Sequence, residues 1–190
     1  MKYLIFIVCL FFSCKELDSS KSLIHNVGFA QGTSYSIKYM SSEDYHNKID
    51  SLLTVIDNSL STYNTNSLLS KLNLGDTSLL LDTHFVRVFK ASIYISTVTD
   101  GLFDCTVAPL VGAWGFGPDE KLETDSLYIV TLLKKIGFQD LSLKGDSLIS
   151  NPKLKTMDFN ALAQGYTVDV IAELLDSHYV SDYLIELGGE

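Results

Sequence analysis

The residues best suited to chemistry lie in the run Met157-Asp158-Phe159-Asn160-Ala161-Leu162-Ala163-Gln164-Gly165-Tyr166-Thr167-Val168-Asp169. Thr156 to Phe159 has strand character, and from Ala161 onward Leu162, Tyr166, Val170, Ile171 and Leu174 recur at helical spacing. The pattern predicts a strand end, a tight turn and the first turns of a helix, with Asn160 as N-cap and Asp158 just outside it. A helix start carries unpaired N–H groups and the positive end of the dipole, which suits a phosphate. The small residues Ala161, Ala163 and Gly165 would let a bulky ligand approach the backbone. The same residues would also serve a capped helix packed tightly on a sheet.

Two further stretches carry candidate groups. Tyr63 is an aromatic in the polar loop Ser61 to Asn66. Its ring either stacks on a flat heterocycle or folds back on the core. Thr99 to Gly117 is rich in glycine and aromatics and matches no regular element, so it is expected to be a binding loop. Within it, Asp104 either accepts hydrogen bonds from a polar ring edge or pins its own loop through an Asx-type bond. Asp100 and Asp104 together are weak evidence for acid/base chemistry without geometry.

The elements that must position these groups follow from periodicity. Val27 to Met40 is expected to form two strands around Gln31-Gly32-Thr33, where the glycine suggests a bulge or a close backbone approach. Glu43 to Leu60 is an amphipathic helix with Ile49, Leu52, Leu53, Ile56 and Leu60 in one stripe. Ser67 to Asn73 suggests a short second helix. Asp82 to Thr99 is another, with Phe85, Val88, Phe89, Ser92, Ile95 and Val98 inward and Gly101 as its stop. Ser126 to Ile136, capped by Asp125, is expected to be helical up to Gly137. Leu141 to Ile149 suggests a hairpin turning at Lys144-Gly145-Asp146. The central helix should run to about Leu175, followed by a buried strand at Tyr183 to Leu187.

Composition bounds the rest. The 190 residues suffice for one domain with a sizeable core, and 46% hydrophobic against 19% charged residues indicates a globular chain. A formal net charge of −9 argues against nucleic acid, whose phosphates need a basic face. An acidic chain can still bind a phosphorylated ligand through local N–H groups or a metal ion.

Lys2 followed by the apolar run Tyr3 to Phe12 suits a signal-peptide core and is too short to span a bilayer. Phe12-Ser13-Cys14 ends it with a small residue before a cysteine, as at a bacterial lipoprotein cleavage site. The expectation is a signal peptide over 1–13, a lipidated flexible tether over 14–24 anchored at Cys14, and a folded part over 25–190. The alternative is an ordinary secretory signal with an incidental cysteine. Cys105 is the one cysteine of the folded part, which excludes an intramolecular disulfide and a cysteine zinc site. Because a buried strand followed by Gly188-Gly189 normally leads to a further element, the sequence is expected to be the N-terminal part of a longer protein.

Several pieces, in order, resemble one family. They are Gly32-Thr33-Ser34-Tyr35, Ser61-Thr62-Tyr63 leading to Asn73, Thr99-Asp100-Gly101-Leu102-Phe103-Asp104 with Pro109-Leu110-Val111 and Trp114-Gly115-Phe116-Gly117, then Asp158 to Asp169, and Leu187-Gly188-Gly189-Glu190. This series resembles the ApbE-type FAD:protein FMN transferases, exported flavin-transfer lipoproteins. The resemblance implies an α+β fold, a mixed sheet with flanking helices around a flavin-binding cleft, truncated at the C-terminus. It implies that Tyr63 contacts the isoalloxazine ring, that Leu102, Phe103 and Asp104 hold FAD, and that Asp158 and Gln164 bind FAD around the helix start. It implies that the Ala161 carbonyl helps bind Mg²⁺. Departures are Gln31 where the family often has Met, Cys105 where it often has Pro, and Gln164 where Lys or Glu is common. The activity implied is Mg²⁺-dependent transfer of FMN from FAD to a Thr or Ser hydroxyl of a target flavoprotein subunit of a respiratory complex, with release of AMP. The location implied is the bacterial cell envelope, membrane-anchored through the lipid. FAD pyrophosphatase activity and non-catalytic, lipid-anchored flavin binding are the alternatives.

Overall fold

A computed structural model describes residues 21–76, 78–116, 125–145 and 148–189. The expected signal peptide, Cys14, Gly117 and Glu190 lie outside these residues. Strands β1 (Ser22–Ala30) and β2 (Thr33–Ser41) form an antiparallel hairpin in which Ala30 faces Thr33. Gln31 and Gly32 take φ of 51° and 76°. They form a two-residue turn of the kind whose twist matches the strands, so the expected bulge is instead a tight turn. β1 starts at Ser22, so residues 22–24 of the expected tether belong to the sheet.

The last strand, β5 (Tyr183–Leu187), pairs antiparallel with β2 and completes a sheet ordered β1-β2-β5. A small second sheet pairs β3 (Ser142–Lys144) with β4 (Leu148–Ser150), as the hairpin pattern anticipates. Every described pairing is antiparallel, where a mixed sheet was expected. β5 is less buried than its sequence suggests. Leu187 is inside, while Leu184 on the opposite face is exposed.

Among the described residues, six α-helices accompany these strands: α1 (His46–Leu60), α2 (Leu68–Asn73), α3 (Thr83–Val98), α4 (Ala108–Ala113), α5 (Ser126–Leu133) and α6 (Asn160–Ser177). Ser67, Asp82 and Asp125 cap α2, α3 and α5, each side chain accepting from the backbone N–H three residues on. Within the expected irregular loop, Pro109 sits in the first turn of α4, where its missing N–H costs nothing. Val98 faces out, contrary to its expected inward position, because the buried face of α3 runs through Ser92 and Ser96. α5 ends at Leu133, and a tighter turn carries the chain to Gly137, whose φ is 145°.

α1 separates two parts of the core. Ile49 and Leu53 pack with Tyr35, Ile37, Tyr39, Leu187, Ile171 and Leu175 beneath the larger sheet. Ile56 and Leu60 pack with Leu69, Phe85, Phe89, Met157 and Phe159 among the helices. The helical stripe read from sequence therefore serves both sides. Gly28 faces Tyr35 across the hairpin, and a Cβ there would lie 2.5 Å from the Tyr35 ring. The tyrosine covers the glycine, and its hydroxyl donates to Asp50 Oδ1 at 2.5 Å on α1.

Candidate functional site

The segment entering α6 is not a strand, although its sequence has strand character. Its partners are a side chain and a loop rather than a sheet neighbour. The Asn73 amide donates to Met157 O and accepts from Met157 N, both at 2.8 Å. Asp158 N donates to Cys105 O at 2.8 Å. Asn73 thus supplies the pair of bonds that an adjacent strand would otherwise give. Met157 and Phe159 are fully buried on either side of Asp158, which leaves Asp158 half-buried at the helix start.

The cap differs from the expected one. Asn160 is the first helical residue, and Asp158 Oδ1 accepts from Asn160 N at 2.7 Å. Leu162 N and Ala163 N both donate to Phe159 O at 2.8 Å. Three of the first four amides are therefore engaged, and among the described residues the N–H of Ala161 has no acceptor. Burial raises the Asp158 carboxyl above the ordinary Asp range, against the lowering effect of the Asn160 N–H.

An open cleft of about 1360 Å³ runs along α1 between the β1–β2 hairpin and the start of α6. Ser61, Tyr63 and Asn64 line it after α1, and Asn160, Ala163 and Gln164 line it on α6. Gln31 and Gly32 contribute from the hairpin turn. The loop that carries Tyr63 is braced from within. Ser61 Oγ accepts from Tyr63 N and Asn64 N, and Ser67 Oγ donates to Ser61 O at 2.6 Å. Tyr63 itself is 60% exposed and donates its hydroxyl to Phe116 O at 3.1 Å. Its ring does not fold into the core, which leaves a face free to stack.

The other expected binding run behaves differently. Leu102, Phe103 and Asp104 do not line the cleft. Leu102 is 94% exposed, and Phe103 packs half-buried against the helical part of the core. Asp104 Oδ1 accepts from Thr106 N at 2.8 Å and from Thr106 Oγ1 at 2.7 Å. Its Oδ2 accepts from Phe138 N at 3.1 Å. Asp104 therefore pins its own loop, the second of the two readings its sequence allows. Asp100 takes a left-handed φ of 53° just after α3, where Gly101 N returns to Ser96 O at 2.8 Å. It closes a helix end and makes no acid/base pair with Asp104. Cys105 is fully buried and its thiol is pushed up to about 12 by burial, so it is an inert packing group.

One residue of the cleft was visible in the sequence only as a departure from a pattern. Gln31 Nε2 donates to Thr167 Oγ1 at 2.8 Å, and Thr167 Oγ1 donates to Ala163 O at 2.7 Å. Gln31 Oε1 is shielded from solvent with no hydrogen-bond partner. An unpaired amide carbonyl costs roughly 1–3 kcal/mol. A polar residue in a left-handed turn position, where glycine or asparagine is easier, was the available signal.

A model of the ApbE family matches residues 31–190. The chain belongs to the ApbE family. It is 33% identical over 178 residues to the FAD:protein FMN transferase of Vibrio cholerae, covering 88% of this chain and 53% of that protein. It is 28% identical over 199 residues to the protein of the same name from Haemophilus influenzae, covering 96% and 58%. Among solved structures, the flavin transferase ApbE from Vibrio cholerae superposes with a TM-score of 0.82 at 31% identity, covering 89% of this chain and 58% of that one. The apo flavinyl transferase ApbE of Pseudomonas stutzeri superposes with a TM-score of 0.81 at 29% identity, covering 89% and 57%. The chain spans about half the length of the relatives it matches.

The ApbE cleft suits a large heterocyclic phosphate ester better than it suits a metal. Its lining combines the exposed aromatic Tyr63 with the polar side chains of Gln31, Asn160 and Gln164, while Asp158 and Ala161 are not among the lining residues. Ala161 is exposed in the first turn of α6. Among the described residues no group of three or more His, Cys, Asp or Glu gathers to hold a metal ion. A carbonyl alone does not satisfy Mg²⁺, which demands near-octahedral oxygen coordination, so the described residues do not form a Mg²⁺ site.

Proposed function

We propose that this protein takes part in Mg²⁺-dependent transfer of FMN from FAD to a Thr or Ser hydroxyl of a target flavoprotein, with AMP released. The single observation that carries this reading is the cleft where Tyr63, Gln31, Gln164 and the start of α6 meet. Family membership over residues 31–190 supports the same reading. The hydroxyl oxygen would form a bond to the FMN phosphorus, the pyrophosphate bond to AMP would break, and the hydroxyl proton would leave to a base.

The residues of this chain would bind and orient the substrate. Tyr63 would stack on the ring system, and the Ala161 N–H, backed by the α6 dipole, would receive a phosphate oxygen. Asp158 would hold the helix start in place through Asn160. Leu102, Phe103 and Asp104 would act from outside the cleft by fixing the neighbouring loop. Mg²⁺ belongs to the proposal through the family resemblance, with Ala161 as one ligand.

The engagement of Asp104 with Thr106 and Phe138, and of Asp158 with Asn160, favours a second reading for this stretch of chain, in which it binds flavin without turnover. Export, lipid attachment at Cys14, a place in the bacterial cell envelope and a respiratory flavoprotein target complete the proposal. Among the described residues no helix is long and apolar enough to cross a membrane. The test is incubation of the protein with FAD, Mg²⁺ and a candidate target, followed by mass spectrometry of the target and AMP analysis. A target heavier by one FMN, with stoichiometric AMP, is expected. FMN released free without target modification would indicate the pyrophosphatase instead. FAD binding with no AMP would indicate the non-catalytic reading.

A further inference from the structure

β1 is an edge strand, and its free side opens on the cleft. The two-residue turn at Gln31 and Gly32 closes on the pair Ala30 and Thr33, which therefore exchange backbone hydrogen bonds. Bonded pairs alternate along an antiparallel ladder, so Gly28 and Asn26 also turn their N–H and C=O groups to β2. Val27 and Phe29 turn theirs away from it. Among the described residues no strand lies beyond β1 and no backbone group pairs with these two. Both residues line the cleft, whereas the opposite edge strand, β5, contributes nothing to it.

The wall formed by α1 is acidic. Asp50, Thr54 and Asp57 recur at helical spacing and line the same cleft. Asp50 is held by the Tyr35 hydroxyl. Asp57 is half-buried, and among the described residues its carboxylate has no hydrogen-bond or ion-pair partner. No Lys or Arg lines the cleft. This wall repels a phosphate and attracts a cation. At about 1360 Å³ the cleft also exceeds the ~300–1,000 Å³ usual for a small-molecule pocket, which leaves room beside a dinucleotide.

We propose that the free edge of β1 at Val27 and Phe29 is the docking site for the acceptor segment of the target protein, which adds to the sheet as an extended strand. A strand edge offers donors and acceptors at the spacing of another polypeptide. The cleft leads from that edge to Tyr63 and the start of α6, so it brings a hydroxyl on the added strand toward the flavin nucleotide. Side chains of the added strand alternate between two faces. One set lies beside Val27 and Phe29, where β-branched residues pair well. The other faces α1, where a Lys or Arg meets Asp57. The segment recognised is therefore extended, with hydroxyl-bearing or β-branched residues alternating with basic ones. The proposal rests on the flavin-transfer reading of the cleft.

The probe is an end-capped octapeptide in which Thr alternates with Lys, added to the 190-residue chain, with FAD binding measured in parallel. Amide hydrogen exchange followed by NMR is the main readout. The Val27 and Phe29 N–H groups should exchange fast in the free chain and at least about tenfold slower with saturating peptide. Asn26, Gly28 and Ala30, already bonded to β2, should stay slow in both. N-methylation of either the Thr or the Lys residues removes the N–H groups from one side of the peptide only. One methylated set should abolish binding and the other keep it. Val27→Pro removes an edge N–H that β2 does not use, a place where an edge strand tolerates proline. It should weaken the peptide about tenfold and leave FAD binding unchanged. Asp57→Asn should weaken the peptide roughly threefold.

Peptide that binds without slowing the Val27 and Phe29 amides overturns the proposal, and so does equal loss from both methylated sets. The methylated peptides are tested on the wild-type chain, so this outcome does not depend on the folding of Val27→Pro. FAD binding with no peptide binding overturns the proposal and leaves the flavin reading standing. Peptide binding with the expected alternation but no FAD binding overturns the flavin reading, and with it the assignment of the docked strand as acceptor.

Discussion

Tyr63 and Asp104 were both expected to hold the same ligand, yet their surroundings differ in kind. Tyr63 sits on a loop whose polar backbone is already braced by Ser61 and Ser67, so its ring is left 60% exposed at the rim of the cleft. Asp104 spends both carboxylate oxygens on Thr106 and Phe138. The first loop was completed by other residues and its aromatic was freed. The second was completed by the candidate residue itself. Whether a side chain is available to a ligand depends on which residue satisfies the local backbone, and a linear motif does not show that.

The largest expected effect tests the second half of this comparison. Asp104→Ala would leave the N–H groups of Thr106 and Phe138 without their acceptor and free the Thr106 hydroxyl. Thr106 is fully buried and also accepts from Gly137 N at 2.8 Å, so the whole junction loosens. Hydrogen bonds to a charged acceptor are worth about 1.5–3 kcal/mol each where water is excluded, and because Asp104 is only half-buried the three together should cost about 3 kcal/mol in urea unfolding. Asp104→Asn should recover part of it, because its one carbonyl can still accept from Thr106. A variant that unfolds like wild type but loses FAD would show that Asp104 serves the ligand first, and the contrast with Tyr63 would fail.

Tyr63→Ala is the complementary change, with a smaller and differently placed effect. Little area is buried by the ring in the free protein, so unfolding should shift by less than about 1 kcal/mol. A lost stacking contact of about 0.5–1.5 kcal/mol should weaken FAD binding roughly tenfold or less. Tyr63→Phe should bind FAD like wild type, since the ring face remains and only the bond to Phe116 O is lost. The measurement is FAD fluorescence quenching alongside thermal melting. A Tyr63→Phe variant as weak as Tyr63→Ala would assign the effect to the hydroxyl and its bond to the 114–116 turn.

The elements with strong periodicity are legible from the amino-acid sequence alone. Ile49, Leu53, Ile56 and Leu60 mark α1 because a buried stripe must recur every three to four residues. The caps at Ser67, Asp82 and Asp125 are equally local. What escapes a sequence reading is set by partners distant along the chain. Thr156 to Phe159 has the composition of a strand, but Asn73 and Cys105 take its backbone bonds. Val98 continues an apolar stripe in sequence, but α3 turns its serine face inward near its end. At the site, Tyr63, Asn160 and Gln164 line the cleft, while Asp158 and Ala161 do not. Gln31 bonds through its amide to Thr167, 136 residues away, a pairing no local pattern announces.

Asp158 falls between Tyr63 and Asp104, and it provides the subtlest test. It serves its own helix start through Asn160 N, as Asp104 serves its loop, and burial raises its pKa. A carboxyl whose folded pKa is raised binds more protons in the native state, so its contribution to stability is fully present below the unfolded pKa of about 3.9. That contribution is lost as pH rises through the folded value. Asp158→Asn keeps the oxygen that accepts from Asn160 N and does not titrate. The stability of Asp158→Asn relative to wild type should therefore improve as pH is raised from about 4 to neutrality, by less than either change above. Thermal melts of both proteins across that range measure it. A relative stability that falls with rising pH would mean that the ionised carboxylate is the form favoured by the fold. Asp158 would then belong with Asp104, as a carboxylate paired within its own stretch of chain.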